Sequence, residues 1–433
     1  MTISSKRSMP VSDEAAPVVA TARGIAFLRG EWAQAALIAI LLFAVYYVTG
    51  SQANPYNQDV RLADAFLHGR LYIEHPPDYL ELARYDSAGA ACQGSEAGCH
   101  GYVIEPPMPA VVLTPFVALF GAGLNQVLVS IAVGAAAMGL FWAAARRMGW
   151  GYRLSAAITV LLALGTDFWW ASGDGSLWQF SQVCAVFFMM AALVEATGRK
   201  RVILVGLLLG LAGLCRLPTF LAFPFFLYLA LRGRGDLGTW RQIMPRVVLF
   251  GLGLGSMALV VFLYNYARFG TIADLGYVHP QYAGGVFAQG RFSVSCIPRQ
   301  LHAILSQGFD LDESRFPFFK PSVYGTALFL VSPAFLYAFG TRLGRVEIAA
   351  MVAMGLVMIP HVLYATTGYA QFGYRYSLDY LPMLAVLTAS GMGYRMGGRK
   401  WLVVGLSVLI AIWGPLFFFD TRLESLLGVH WQV

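Results

Sequence analysis

Charged residues are scarce in this chain, and those that break its apolar runs are the ones able to do chemistry. After the first apolar run the sequence reads NPYNQDVRLADAFLHGRLYIEHPPDYLELARYD. Val60, Leu62, Ala63, Phe66 and Leu67 give this stretch the apolar side of a helix lying on a membrane surface, with Gly69 as its stop. Asp64 and His68 are four apart and share a face. On spacing alone Asp59 reads as a helix-start cap and Asp64 as a water-facing acid. Glu105 precedes Pro106-Pro107 where the chain returns to the membrane. A carboxylate there is costly unless it is paired or solvated, so it marks an interfacial turn or a cavity. Asp174, flanked by glycines, is a turn residue or a further acid. Trp169, Trp170 and Trp178 fit an interfacial aromatic belt, and aromatic rings also stack on sugars. His279, among Tyr277, Tyr282 and Phe287, is a structural loop histidine, or a metal ligand if the fold brings it to the acids. Arg291 and Arg299 are of the type that binds phosphate. In TTGYAQFGYRYSLDYLP, Arg375 and Asp379 are four apart and form either an ion pair or, through the arginine, a clamp on a lipid phosphate.

Helices in a bilayer must position these residues. Hydrophobic residues make up 58% of the 433 and charged residues 12%, with a mean hydropathy of +0.62, whereas a soluble domain carries roughly 25% charged residues. The apolar runs are too continuous for barrel strands. They predict an all-α polytopic membrane protein with about eleven crossings, each needing about 20 residues. The runs fall roughly at 33–50, 124–145, 154–171, 179–196, 202–217, 219–232, 247–266, 324–340, 346–365, 380–394 and 401–419, with 107–121 along the surface. Arg216-Leu217-Pro218 interrupts one long apolar stretch, which is two tight spans or a broken pair.

The net charge of +7 sits largely in short linkers, where positive-inside topology accounts for it without nucleic acid. The clusters Lys6/Arg7, Arg146/Arg147, Arg199/Lys200/Arg201, Arg232/Arg234, Arg342/Arg345 and Arg395/Arg399/Lys400 all fall on one side under this layout. Residues 1–32 are then a cytoplasmic tail, and 33–433 form a single transmembrane domain whose outer loops 51–106 and 267–323 carry the site. Cys92 and Cys99 bracket a six-residue gap suited to a disulfide, with a metal pair as the rival reading. No phosphate loop, dinucleotide fingerprint, HExxH or GxSxG occurs, so no nucleotide cofactor is expected.

The segments ADAFLHGRLYI, EPPMPAVVLTPFVALFG, AARRMG, GLAGLCRLPTFLAFPFFL, LYNYARFG and FGYRYSLDYLP, in this order, resemble the polyprenyl-phosphate-sugar glycosyltransferases of the GT-C superfamily. That group includes the protein O-mannosyltransferases and the aminoarabinose lipid A transferases. The resemblance implies a GT-C-like bundle in the bacterial inner membrane. It implies inverting transfer from a polyprenyl-phosphate sugar to an envelope lipid, polysaccharide or protein on the periplasmic face. It makes Asp59 the first choice of base, Asp64 the second, and Asp174 the further acid that many relatives carry in the short linker. It assigns Glu105, Arg291, Arg375, Tyr376 and Asp379 to substrate and phosphate binding, and a divalent metal ion to His279 with Glu105. The chain departs from many relatives in having nothing acidic in SQANPYNQ, before Asp59. The rival function is a polytopic lipid or small-molecule transporter or flippase. Such a protein places ionisable residues mid-membrane, whereas most acids here lie in outer loops.

Overall fold

The computed structural model describes residues 30–92, 98–232, 239–274, 285–288, 290–313 and 318–427. The chain opens with α1 (Glu31–Thr49) and the amphipathic α2 (Gln58–Leu67). Strands β1 (Ile73–Glu74), β2 (Ala83–Tyr85) and β3 (His100–Tyr102) form an antiparallel sheet with β3 central. Next come α3 (Met108–Phe120), α4 (Gln126–Arg147), α5 (Tyr152–Leu164), α6 (Asp167–Asp174), α7 (Leu177–Thr197) and α8 (Val202–Gly213). Helices α9 (Phe223–Leu231) and α10 (Trp240–Phe269) follow. The last part holds β4 (Tyr324–Thr326), α11 (Arg345–Leu363), β5 (Gln371–Gly373), α12 (Leu381–Met392) and α13 (Gly398–Ala411). Strands β4 and β5 pair in parallel, Thr326 opposite Gly373.

Among the described residues, six helices are long and apolar enough to cross a membrane: α1, α4, α7, α10, α11 and the continuous stretch Gly398–Phe418. The α5–α6 pair, bent by 50°, makes a seventh if it counts as one span. The chain is therefore a multi-pass membrane protein. Helices α4 and α7 form its centre, with 72% and 83% of their most apolar stretches buried. The most apolar of the six, α10, has only 17% buried. An apolar face left uncovered by protein needs lipid against it.

The remaining expected crossings are short or broken. The stretch 202–232 is a broken pair: α8 stops at Gly213, Arg216 is extended, and a 3-10 turn (Leu217–Ala222) leads into α9. Pro218 and Pro224 lack the amide hydrogens a continuous helix requires. The run 324–340 begins as strand β4 and ends as a 3-10 helix from Pro333. Helix α12 is only 12 residues long, and nearly all of it is buried inside the bundle. Trp169 and Trp170, expected in an interfacial belt, are buried; Trp169 Nε1 donates to Thr49 Oγ1 at 2.9 Å. Cys92 and Cys99 are joined as a disulfide beside the sheet.

Helices α8 and α10 cross at glycines. A Cβ at Gly206 would collide with the Phe250 carbonyl oxygen, and one at Gly253 with that of Ile203. Small residues let backbones approach this closely, and packing is the main force holding helices together in lipid. Gly206→Leu is expected to cost about 1–3 kcal/mol by overpacking, read as a lower melting midpoint in detergent, whereas Gly251→Leu, where open space surrounds the added carbon, leaves the midpoint unchanged.

Candidate active site

The site forms where three interruptions of apolar sequence meet at one end of the bundle. The first is the start of α2. Asp59 lies in its first turn and is fully buried, but it is no cap: the N-cap is Asn57, and neither Asp59 oxygen has a hydrogen-bond partner. Its neighbour Gln58 is also fully buried, with both amide atoms unpartnered. Buried polar groups are almost always paired, so two adjacent exceptions call for an explanation. The helix ends as expected at Gly69, whose φ of +71° closes the turn. Asp64 faces the other way, 3.8 Å from His68 Nδ1, with both side chains exposed to solvent. The fold thus separates the two acids and leaves Asp64 outside the cluster.

The second interruption is Glu105, buried, with Oε2 unpartnered. The backbone amide of Met108, just past the paired prolines, donates to the Leu214 carbonyl at 3.1 Å. That bond ties the Glu105 turn to the break after α8, which carries Arg216. Arg268, near the end of α10, donates to the Val103 carbonyl and, at 3.0 Å, to Asn265 Oδ1. Burial and the nearby Glu81 push the Glu105 carboxyl up to about 7, against the pull of Arg216, Arg375 and Arg268. Burial, and then Glu105, push Asp59 well above the carboxylate range. Burial also raises Glu81, partly offset by Arg375 and Arg291. Glu81 is presented by a loop that Arg84 holds by donating to the carbonyls of Pro76, Pro77, Asp78 and Leu80.

The third interruption is the 3-10 turn Arg375–Tyr380 ahead of α12. Asp379 is fully buried and pairs with Arg216, Nη2 to Oδ2 at 3.2 Å and Nε to Oδ1 at 3.4 Å. His361 Nε2 lies 3.0 Å from the same Oδ2. Burial pushes the Asp379 carboxyl up, but Arg216 and His361 outweigh it and hold it below its ordinary value. Asp379 therefore belongs to Arg216, and the ion pair with Arg375 suggested by their spacing does not form. Arg375 Nε is buried without a partner, and no acceptor receives its guanidinium among the described residues. A rigid frame presents it. The Arg375 carbonyl accepts from Gln182 Nε2 at 3.0 Å, and the adjoining strand is fixed by Gly373 N donating to Asp167 Oδ1 at 2.8 Å. Tyr376 stacks on His361 at 5.0 Å, and the Arg216 and Arg375 guanidiniums lie 5.7 and 5.4 Å from its ring centre.

Other expected residues take supporting places. Asp174 closes the turn between α6 and α7, accepting from Ser176 N at 3.0 Å and Asn54 Nδ2 at 3.3 Å. Arg291 reaches the cluster electrostatically through Glu81 and lies over the Phe287 ring. Arg299 donates to the Ala365 carbonyl. His279 lies outside the described residues. Among the described residues no group of three His, Cys, Asp or Glu side chains could hold a metal ion, so Glu105 has no such ligand set around it there. Sequence reading missed Gln58, Glu81, Arg216, Arg268 and His361 as site residues. Only Arg216 left a signal, as a charge inside an apolar stretch.

The fold and site together define a multi-pass helical membrane protein with desolvated acids and an unpaired arginine gathered at one end. No protein-family model matches the chain, and no curated protein matches it significantly. Among solved structures, it is similar to ArnT from Cupriavidus metallidurans bound to undecaprenyl phosphate, at 17% identity and a TM-score of 0.48, covering 87% of this chain and 62% of that one. It is similar also to ArnT from the same organism in the apo state, at 16% identity and a TM-score of 0.44, covering 90% and 62%. The chain spans 62% of the length of these structures.

Two outcomes follow. Arg216→Ala strands the buried Asp379 and is expected to cost about 3–5 kcal/mol; Arg216→Met with Asp379→Leu, which removes both charges, recovers most of that in a thermal or denaturant titration. The second concerns pH. The folded state holds the Glu105 proton more tightly, at about 7 against 4.5 for a free side chain. Stability is therefore lost as pH rises from the lower value through the higher, by on the order of 3 kcal/mol. Melting curves of Glu105→Gln between pH 5 and pH 8 should lack that loss.

Proposed function

We propose that this protein is an inverting glycosyltransferase. It moves a hexose or pentose from a polyprenyl-phosphate donor to a hydroxyl of an envelope lipid, polysaccharide or protein. Its site faces the periplasm and its basic end the cytoplasm, as the positive-inside rule favours. The observation that carries this reading is the juxtaposition of an Arg375 guanidinium lacking an acceptor with Gln58, Asp59 and Glu105, whose buried polar atoms lack partners. Arginine presents a planar fork that matches phosphate oxygens, and its charge counts for more where water is excluded.

In the reaction the acceptor oxygen bonds to the anomeric carbon from the face opposite the phosphate. The bond from that carbon to the phosphate oxygen breaks, and polyprenyl phosphate leaves with the electron pair. Arg375 stabilises the charge that gathers on the phosphate, with Arg291 as the second cation on that side. Asp59 receives the proton of the attacking hydroxyl. Its raised proton affinity suits it to that role. Asp59 has no exposed surface, so the acceptor reaches it through a local opening. Tyr376 forms the wall behind the arginines, and Asp379 holds Arg216 in place.

The test is turnover of purified protein with a panel of undecaprenyl-phosphate sugars, reading release of undecaprenyl phosphate. Asp59→Asn is expected to abolish release in a folded protein. Arg375→Ala is expected to raise the donor concentration required at least about tenfold, the loss of one charge-assisted contact, with little change for the acceptor. Absence of binding and release across the panel would overturn the proposal.

A further inference from the structure

The end of the bundle opposite the acids carries a cavity of about 1520 Å³. Helix α4 links the two regions: Gln126 accepts from the Val60 amide beside Asp59, and Arg147, at the far end of the same 22-residue helix, lines the cavity. At the helical rise the separation is about 30 Å. Each basic cluster that the sequence places in the short linkers after α4, α7 and α9, before α11 and before α13 sends a residue into this one space. Arg232, Arg342, Arg345 and Arg395 line it together with Lys200 and Lys400, and Glu347 is the sole carboxylate of the lining. Arg147 is already paired with Glu31, and Lys200 and Lys400 donate to backbone carbonyls. Among the described residues, no carboxylate pairs with Arg232, Arg342 or Arg395. Lys200 also holds a left-handed backbone, φ +58°, which a side chain other than glycine adopts only when its surroundings enforce it.

Topology alone requires basic residues near the linkers; it does not require five linkers to converge on a cavity between helices. Concentrated positive charge with a single acid is costly unless an anion joins it. The lining is also amphipathic. Trp150, Leu154, Leu229 and Val386 form apolar wall, and Leu343 and Tyr394 at the rim are 67% and 78% exposed. That combination suits a charged headgroup whose chains remain in lipid. We propose that this cavity binds a phosphate-bearing anion, supplied by the headgroup of an anionic phospholipid in the adjoining leaflet. The inference is independent of the transfer reaction proposed for the other end.

The test is native mass spectrometry of the purified full chain after incubation with cardiolipin, phosphatidylglycerol or phosphatidylcholine, beside melting curves with inorganic pyrophosphate. The expected result is retention of the anionic lipids over phosphatidylcholine, reduced about tenfold in Arg342→Gln/Arg395→Gln, with the melting midpoint in lipid-free detergent unchanged. Arg342→Lys/Arg395→Lys keeps the charge and is expected to retain most of the lipid, which separates a folding defect from a lost site. Stabilisation by pyrophosphate that disappears in the glutamine variant, without lipid retention, would support the phosphate site and assign it to a soluble phosphate compound. Equal retention of all three lipids by the protein and the glutamine variant, with no effect of pyrophosphate, overturns the proposal.

Discussion

The buried contact between Arg216 and Asp379 organises this molecule. Each residue interrupts an apolar stretch, and neither charge could stay out of water alone. Pairing them joins the break after α8 to the turn before α12, 163 residues apart in sequence. His361 from α11 adds a third side chain at 3.0 Å, and the Tyr376 ring stacks against it. Three separate membrane elements are thus held in one register, and with them the backbone that presents Arg375. Because Asp379 is taken up by Arg216, Arg375 keeps its guanidinium available.

The acids beside this pair show the opposite balance. Asp59, Gln58 and Glu105 are buried by the packing of α2, α3 and the loop sheet around them, with polar atoms left unpaired. Such groups reduce stability, and a protein keeps them where substrate completes the set. Burial raises the proton affinity of the two carboxyls, and nearby arginines moderate it at Glu105. A pH-sensitive carboxyl next to unpaired positive charge follows. The same physics sorts the charges along the bundle. Acids and arginines mix at one end, whereas the other collects the basic linkers around a cavity with a single carboxylate.

Local sequence determined a good deal. Composition and the length of the apolar runs required a bilayer, since no soluble core could bury so much apolar surface. The amphipathic helix at 58–67, its stop at Gly69, a helix after Pro106-Pro107 and the Cys92–Cys99 bond were all legible, because each depends on residues close in the chain. Asp59, Glu105 and Arg375 were legible as candidates because an ionisable residue at the edge of an apolar run needs a reason to be there. The fate of each was not legible. Their place in one loop made Asp64 resemble Asp59, and spacing of four made Asp379 resemble a partner for Arg375.

Tertiary structure decided those cases. Which side of α2 faces the bundle separated Asp59 from Asp64, and the break in 202–232 brought Arg216 to Asp379 ahead of the nearer Arg375. Helix α12 could be as short as 12 residues because other helices, and not lipid, surround it. Periodicity cannot reveal that, since a buried helix and a lipid-facing one are equally apolar. A sequence states which charges must be compensated, because the cost of burying them is local. Which partner compensates them depends on distances between elements far apart in the chain, and only the packed bundle sets those.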